Sequence, residues 1–322
     1  MKPITIITGF LGSGKTTLLN AILKQNHGKR IAVIENELGE KNIDYEFVLH
    51  EKEQIYQMTN GCICCSVRED LVKTMHEIHS FGDKFDAIII ETTGVADPSP
   101  VLHTLKQDQI LRENYQLDSI ICLIDAKNFL KQFNRSPEVK KQLTAANLVL
   151  LNKTDLVNET EIDEIENKIK YYNLEAEVIK TKYSEINLDQ VFLRFLFKAP
   201  SSVPLFIAKA KNNLLSNQSP KGVHDENISS KFFEFSGEMN PQYFSVWVDL
   251  LFFQCGENLY RMKGILNFQN ENKKVLFQCV HDYLELTKGE EWNALDRFNQ
   301  FVVIGKDLDF KMIEAGFQSC VR

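Results

Sequence analysis

Gly9-Phe10-Leu11-Gly12-Ser13-Gly14-Lys15-Thr16-Thr17 is a complete GxxxxGKT run. Residues of these types at this spacing can wrap a phosphate chain. The glycines let the backbone turn its N–H groups towards phosphate oxygens, Lys15 brings positive charge, and the Thr16 hydroxyl can ligate Mg(II). A dinucleotide-binding reading has an acid, Glu35, at a suitable distance. GxGxxG counted from Gly12 nevertheless needs glycine at 17, where Thr17 stands. That reading also gives Lys15 and Thr16 no work, so Gly9, Gly12, Ser13, Gly14, Lys15, Thr16 and Thr17 are assigned to nucleotide phosphates.

Further along, Asn152-Lys153-Thr154-Asp155 matches NKxD. A carboxylate there can accept two hydrogen bonds from the N1–H and N2 amino group of guanine. Adenine has no N1 donor and would leave Asp155 unpaired, a mismatch that discriminates on the order of 10⁴-fold in sites built this way. Asn152 would hold the base edge and tie loops together, and the stem of Lys153 would cover the ring. A helix cap is the plainer reading of Asp155, but the motif follows a phosphate loop in the order that a GTP site requires. Glu91-Thr92-Thr93-Gly94 stands where many GTPases carry DxxG: Glu91 can reach Mg(II) through water, and the Gly94 N–H can meet a γ-phosphate. The next residue is Val95, so the glutamine that positions attacking water in Ras-type enzymes is absent. The expected activity is therefore slow GTP hydrolysis, with Lys15, Thr16, Glu91 and Gly94 as its catalytic groups.

Three of the seven cysteines, Cys62, Cys64 and Cys65, fall within four positions, between the two phosphate motifs. Their thiolates suit one soft or borderline ion, Zn(II) first and Cu(I) second. A fourth cysteine is not local, which leaves a position for metal exchange. Glu35, Glu37 and Glu40 in IENELGE could complete a metal site, hold Mg(II) or orient water; a solvated acidic loop is the equal alternative. His76 and His79 share a helix face but read first as ordinary surface histidines. Arg261, Lys263, His281 and Arg297 read as solvated or intradomain charges ahead of client contacts.

These residues need a scaffold that presents strand ends. Apolar runs at 4–8, 30–35, 86–91, 119–125 and 147–152 alternate with helical patterns, and a further strand is expected at 53–59. Runs buried on both faces and separated by helices imply a mostly parallel sheet with its ligands at the carboxyl ends. One helix is expected over 15–28, stopped by Gly28, and another over 68–80. The expected fold class is α/β: a P-loop NTPase domain over 1–200, a polar linker over 201–230, and a smaller α+β domain over 231–322. In the last, strands are expected at 231–237, near 259–268, at 274–286 and at 300–305, with helices opened by Pro241 and over 308–319.

The composition agrees. With 322 residues, 43% hydrophobic and 25% charged, the chain can bury more than one core. Its 37 basic residues against 44 acids give a net charge of −7, which disfavours a broad nucleic-acid or membrane-surface footprint. No apolar run reaches the ~18 residues of a spanning helix, and the N-terminus has no leader pattern, so a cytoplasmic location is expected.

GFLGSGKTT, IENELGE, NGCICCS, ETTGVADPSP and NKTD, in this order, resemble the CobW family of metal-chaperone GTPases, most closely its bacterial YjiA-like, zinc-binding branch. RMKGIL (261–266), LFQCVHDYLEL (276–286) and FVVIG (301–305) are similar to the family's C-terminal domain. The resemblance implies GTP hydrolysis coupled to handling of zinc or another transition metal, with delivery to client metalloproteins. It places the family's CxCC metal motif on Cys62, Cys64 and Cys65, and leaves nucleotide- or metal-dependent self-association open. The histidine-rich stretch of many members is represented only by His224. A GTP-regulated sensor or scaffold that docks partners without delivering metal is the alternative outside catalysis of transfer; a small-molecule kinase is disfavoured by NKTD.

Overall fold

A computed structural model of the chain describes residues 1–25, 28–35, 54–57, 66–173, 175–198, 228–293 and 297–321. The chain divides into two compact units, Met1–Lys198 and Ala199–Arg322. In the first, strands and helices alternate: β1 (Lys2–Gly9), α1 (Lys15–Lys24), β2 (Ile31–Glu35), β3 (Gln54–Gln57), α2 (Ser66–Ser80), β4 (Ala87–Glu91), α3 (Ser99–Gln107), α4 (Gln109–Asn114), β5 (Tyr115–Asp125), α5 (Phe129–Arg135), α6 (Pro137–Ala145), β6 (Leu148–Asn152), α7 (Glu159–Tyr172) and β7 (Glu177–Lys180). The strands form one sheet in the order β3-β2-β4-β1-β5-β6-β7, every pair parallel.

Isoleucine, valine and leucine fill these strands, and Ile4, Ile6, Ile7, Val33, Ile89, Leu148 and Leu150 are fully buried. Burial on both faces forces helices onto each side, because a bare apolar face would remain in water. Leu18, Leu19, Ile22 and Leu23 supply the covering stripe of α1. Parallel pairing puts all the strand ends on one edge, so Gly9, Glu35, Glu91, Asp125 and Asn152 end neighbouring strands of a single sheet.

Helix α1 is shorter than the sequence suggests. Gln25 is already extended, and its side chain donates to the carbonyls of Ala21 and Ile186 and accepts from the Leu188 N–H. Those bonds draw the chain out of the helix at Lys24, ahead of Gly28. Strand β7 escapes the sequence pattern because EVIK is short and none of its side chains is buried.

Among the described residues, the second unit is a five-stranded antiparallel sheet with two α-helices. Its elements are β8 (Ile228–Phe235), α8 (Pro241–Cys255), β9 (Leu259–Leu266), β10 (Lys273–Val280), β11 (Tyr283–Glu291), β12 (Asn299–Lys306) and α9 (Phe310–Ser319), and the sheet order is β11-β10-β9-β12-β8. Asn240 caps α8 by accepting from the N–H groups of Gln242 and Tyr243, with Pro241 in the first turn. Phe244, Trp247 and Leu251 of α8 share a core with Ile313 and Phe317 of α9 and with Phe233, Met262, Phe277 and Phe301 of the sheet.

Strand β8 starts at Ile228 and so takes in 228–230, which the sequence reading gave to the linker. The single strand expected at 274–286 is a hairpin. Val280 pairs with Tyr283 and the chain reverses at His281, whose φ is 52°. Left-handed backbone at a histidine carries none of the Asn-Gly or Gly signals that mark such turns in sequence. Among the described residues, no helix is long and apolar enough to cross a membrane.

Candidate nucleotide site

The loop between β1 and α1 is held at its two ends by close packing. Gly14 has φ 107°, a region that L side chains rarely adopt, and a Cβ there would lie 2.5 Å from Asn152 Nδ2 and 2.8 Å from Ser184 Oγ. At Gly9 a Cβ would fall 2.3 Å from the Leu123 carbonyl oxygen of the neighbouring strand. Within this tight loop Lys15 is 8% exposed, while Thr17, two positions further along the helix, is exposed. The Ser13 hydroxyl is buried without a hydrogen-bond partner among the described residues. A buried hydroxyl left unpaired costs about 1–3 kcal/mol, so an acceptor from beyond the described residues, such as a phosphate oxygen, would stabilise the loop.

Glu91, at the end of β4, meets the loop directly: the Thr16 hydroxyl donates to its carboxylate at 3.1 Å. The following residues turn over the loop. Thr92 donates to the Thr8 hydroxyl at 3.0 Å, and Gly94 sits so close that a Cβ would lie 2.6 Å from the Leu11 nitrogen. The Thr93 hydroxyl is another buried group with no partner among the described residues. Hydroxyl and carboxylate oxygens 3.1 Å apart beside a buried lysine suit a hard divalent cation such as Mg(II), which prefers oxygen ligands.

Asn152 occupies the centre of the site. It is 2% exposed, donates to the Ser13 carbonyl at 2.9 Å and to Ser184 Oγ at 3.0 Å, and accepts from the Ser184 N–H at 2.9 Å. Ser184 in turn donates to the Gly14 carbonyl at 3.1 Å. One carboxamide thus ties the phosphate loop to the NKTD loop and to the loop after β7. Lys153 follows with φ 60°, and its ammonium donates to Asp125 at 2.8 Å. Asp155 lies exposed in the next turn, and no hydrogen bond ties its carboxylate down among the described residues.

Ser184 was not among the residues singled out from sequence. The available signal was its place just after a strand end, at 177–180, and that strand is too short and polar to be recognised beforehand. The remaining expectations divide. Glu35 ends β2 in register with Glu91 of β4. Cys62, Cys64, Cys65, Glu37, Glu40 and His224 lie outside the described residues, and among those described no group of three His, Cys, Asp or Glu could hold a metal ion. His76 and His79 go to helix packing: His76 bonds Asp108, the cap of α4, at 2.9 Å, and His79 meets the Tyr115 hydroxyl. Arg261, Lys263 and His281 are 3%, 3% and 4% exposed, which removes them from any client surface. Of the isolated thiols, Cys122 is buried and pushed up to about 12 by that burial, so it stays a neutral core residue.

A parallel sheet with GxxxxGKT after β1, an acidic strand end at β4 and NKTD after β6 defines a P-loop protein of the GTPase class. The chain belongs to the CobW family. Residues 3–180 match the model described as CobW/HypB/UreG, nucleotide-binding domain, and residues 228–321 match the cobalamin synthesis protein cobW C-terminal domain. It is similar to the zinc chaperone YjiA of Escherichia coli, 32% identical over 323 residues and 98% of each chain. It is also similar to the zinc-regulated GTPase metalloprotein activator 1 of Schizosaccharomyces pombe, 30% identical over 95% of this chain and 82% of that protein. The crystal structure of Zn(II)-bound YjiA GTPase from E. coli superposes with a TM-score of 0.72 at 27% identity, covering 100% of this chain and 99% of the other.

The Asp125–Lys153 pair gives this site a pH signature. Burial alone would raise the Asp125 carboxyl, but hydrogen bonds from Lys153 and Asn128 and the Lys153 charge outweigh it and hold it below the ordinary 3.8. Folding then favours the ionised form. The contribution is full above 3.8 and is lost as pH falls through the lower folded value. Asp125→Asn should lower the unfolding free energy by about 1–3 kcal/mol at neutral pH, the scale of lost bonds to a charged group. Urea titrations should show the gap from wild type closing as the pH drops below the ordinary carboxylate range; a gap independent of pH would contradict the assignment.

Proposed function

We propose that the chain hydrolyses GTP and uses its nucleotide state to control a transition-metal ion, Zn(II) first, held by Cys62, Cys64 and Cys65 and passed to client metalloproteins. The observation that carries this reading is one row of the parallel sheet. Gln57 of β3 pairs with Glu35 of β2, and Glu35 with Glu91 of β4. At about 4.8 Å per strand, the residue that ends β3 stands about 10 Å from the strand end bonded to Thr16. The cysteines begin five residues later in the chain. A thiolate segment that leaves the sheet there shares its footing with the groups assigned to the terminal phosphate.

The remaining roles follow from chemistry. Gly9, Gly12, Ser13, Gly14 and Thr17 shape the phosphate loop, and buried Lys15 offsets the charge of the phosphates. Thr16 and Glu91 would hold Mg(II), which when bound neutralises charge on phosphate oxygens. Gly94 presents its N–H to the γ-phosphate. Val95 cannot orient water, which keeps hydrolysis slow. Asn152 fixes the loops, Lys153 lies along the base, and exposed Asp155 accepts from guanine. Glu35, Glu37 and Glu40 are the available acids for completing the metal's ligands. The names of the relatives, a zinc chaperone and a zinc-regulated metalloprotein activator, support zinc as cargo and metalloproteins as clients.

Two experiments test the reading. Asp155→Asn should shift turnover from GTP to xanthosine triphosphate, because an amide pairs with the xanthine edge; unchanged GTP turnover would show that the base is read elsewhere. Replacing Cys62, Cys64 and Cys65 by serine should remove one tightly held Zn(II) per chain in anaerobic elemental analysis, and full zinc content in that variant would exclude the cysteines as the metal site.

A further inference from the structure

Helix α6 reaches the loop after β4 through a side chain that neither the nucleotide motifs nor the metal motif includes. Gln142 is 1% exposed, and its amide nitrogen donates to the Gly94 carbonyl at 3.3 Å and to the Ala96 carbonyl at 2.9 Å. Two carbonyl acceptors fix the orientation of the carboxamide, since only its NH₂ group can serve both. Its oxygen is left buried with no hydrogen-bond partner among the described residues. One residue earlier, Lys141 pairs with Asp97 at 3.1 Å, and Asp97 also accepts from the Ser99 N–H at the start of α3. The segment from 94 to 97 is therefore tied to α6 at Gly94, at Ala96 and through the Asp97 carboxylate.

The consequence lies on the opposite side of the loop. In a planar trans peptide the C=O and N–H point apart, so a Gly94 carbonyl turned to Gln142 turns the Val95 N–H away from it. Neither the Gly94 nor the Val95 N–H has a hydrogen-bond acceptor among the described residues, and Gly94 packs against Leu11 of the phosphate loop. Two adjacent amides without acceptors among the described residues are donors of the kind that can receive an anion beside that loop.

We propose that Gln142 is a positioning residue for the terminal phosphoryl group. It holds the Gly94–Ala96 carbonyls so that the Gly94 and Val95 amides meet a third phosphate, and it contributes little to binding a diphosphate. This rests on the GTPase reading above. It adds a device by which the protein tells triphosphate from diphosphate, located on a helix that carries neither the base motif nor the cysteines.

The test is Gln142→Leu in the full-length protein, with thermal midpoint, GDP affinity, affinity for a non-hydrolysable GTP analogue, kcat and KM measured together. The expected result is GDP affinity within about twofold of wild type, analogue affinity lower by about tenfold, and kcat lower by a similar factor, the scale of one or two neutral hydrogen bonds. Loss of both affinities in proportion, following a lowered midpoint, would reduce Gln142 to ordinary packing and overturn the proposal. An unchanged analogue-to-GDP ratio would overturn it as well. If the leucine variant does not fold, Lys141→Ala loosens the same segment by removing the ion pair to Asp97 and should lower that ratio in the same sense; no change there is contrary. Wild-type protein that binds neither nucleotide would refute the GTPase reading itself, whereas binding without turnover still leaves the ratio to decide on Gln142.

Discussion

The buried carboxamide of Asn152 is the constraint on which the site depends. Its donors and acceptor join the Ser13 carbonyl, Ser184 and, through Ser184, the Gly14 carbonyl. These groups come from three loops at the ends of β1, β6 and β7. Because a Cβ at Gly14 would collide with the Asn152 amide, neither loop can move far without the other. A nucleotide bound there would have its phosphate cradle and its base-reading loop fixed by one residue. That preorganisation spares the ordering cost that separate loops would impose on binding.

On the other side of the cradle the connections are of a different kind. Thr16 meets Glu91 by one hydrogen bond, and the loop from Thr92 to Asp97 crosses above Leu11 with its carbonyls bound to α6. The base side is thus cross-linked by one buried amide network, and the phosphate side by separate contacts around two buried hydroxyls, Ser13 and Thr93, that have no partner among the described residues. A site so divided can hold the nucleoside part constant while its terminal-phosphate side responds to hydrolysis. Switch behaviour in GTPases has this general form, an element with two arrangements biased by the γ-phosphate.

Contiguous motifs made much of this legible beforehand. GFLGSGKTT, ETTG and NKTD each place several functional groups within a few residues, so that neighbouring sequence carries their geometry. Ser184 and Gln142 carry no such signal. The first is a lone serine after a strand of four residues, and the second reads as one more polar residue in PEVKKQLTA; each gains its role from chain segments far away in sequence. Strand periodicity located the parallel sheet, because runs such as IAVIE and AIIIE are buried on both faces. It joined β10 and β11 into one run because the reversal rests on a left-handed histidine. It also overextended α1, whose end is set by the distant partners of the Gln25 side chain.

The central claim is that metal and terminal phosphate share one linked equilibrium. The direct measurement is calorimetric titration of Zn(II) into the protein saturated with Mg(II) and a non-hydrolysable GTP analogue, repeated with GDP. Linkage of ordinary strength predicts affinities that differ by about 5- to 150-fold, with the ratio of analogue affinity to GDP affinity changed by the same factor when Zn(II) is bound. Equal zinc affinities in the two nucleotide states would contradict the account.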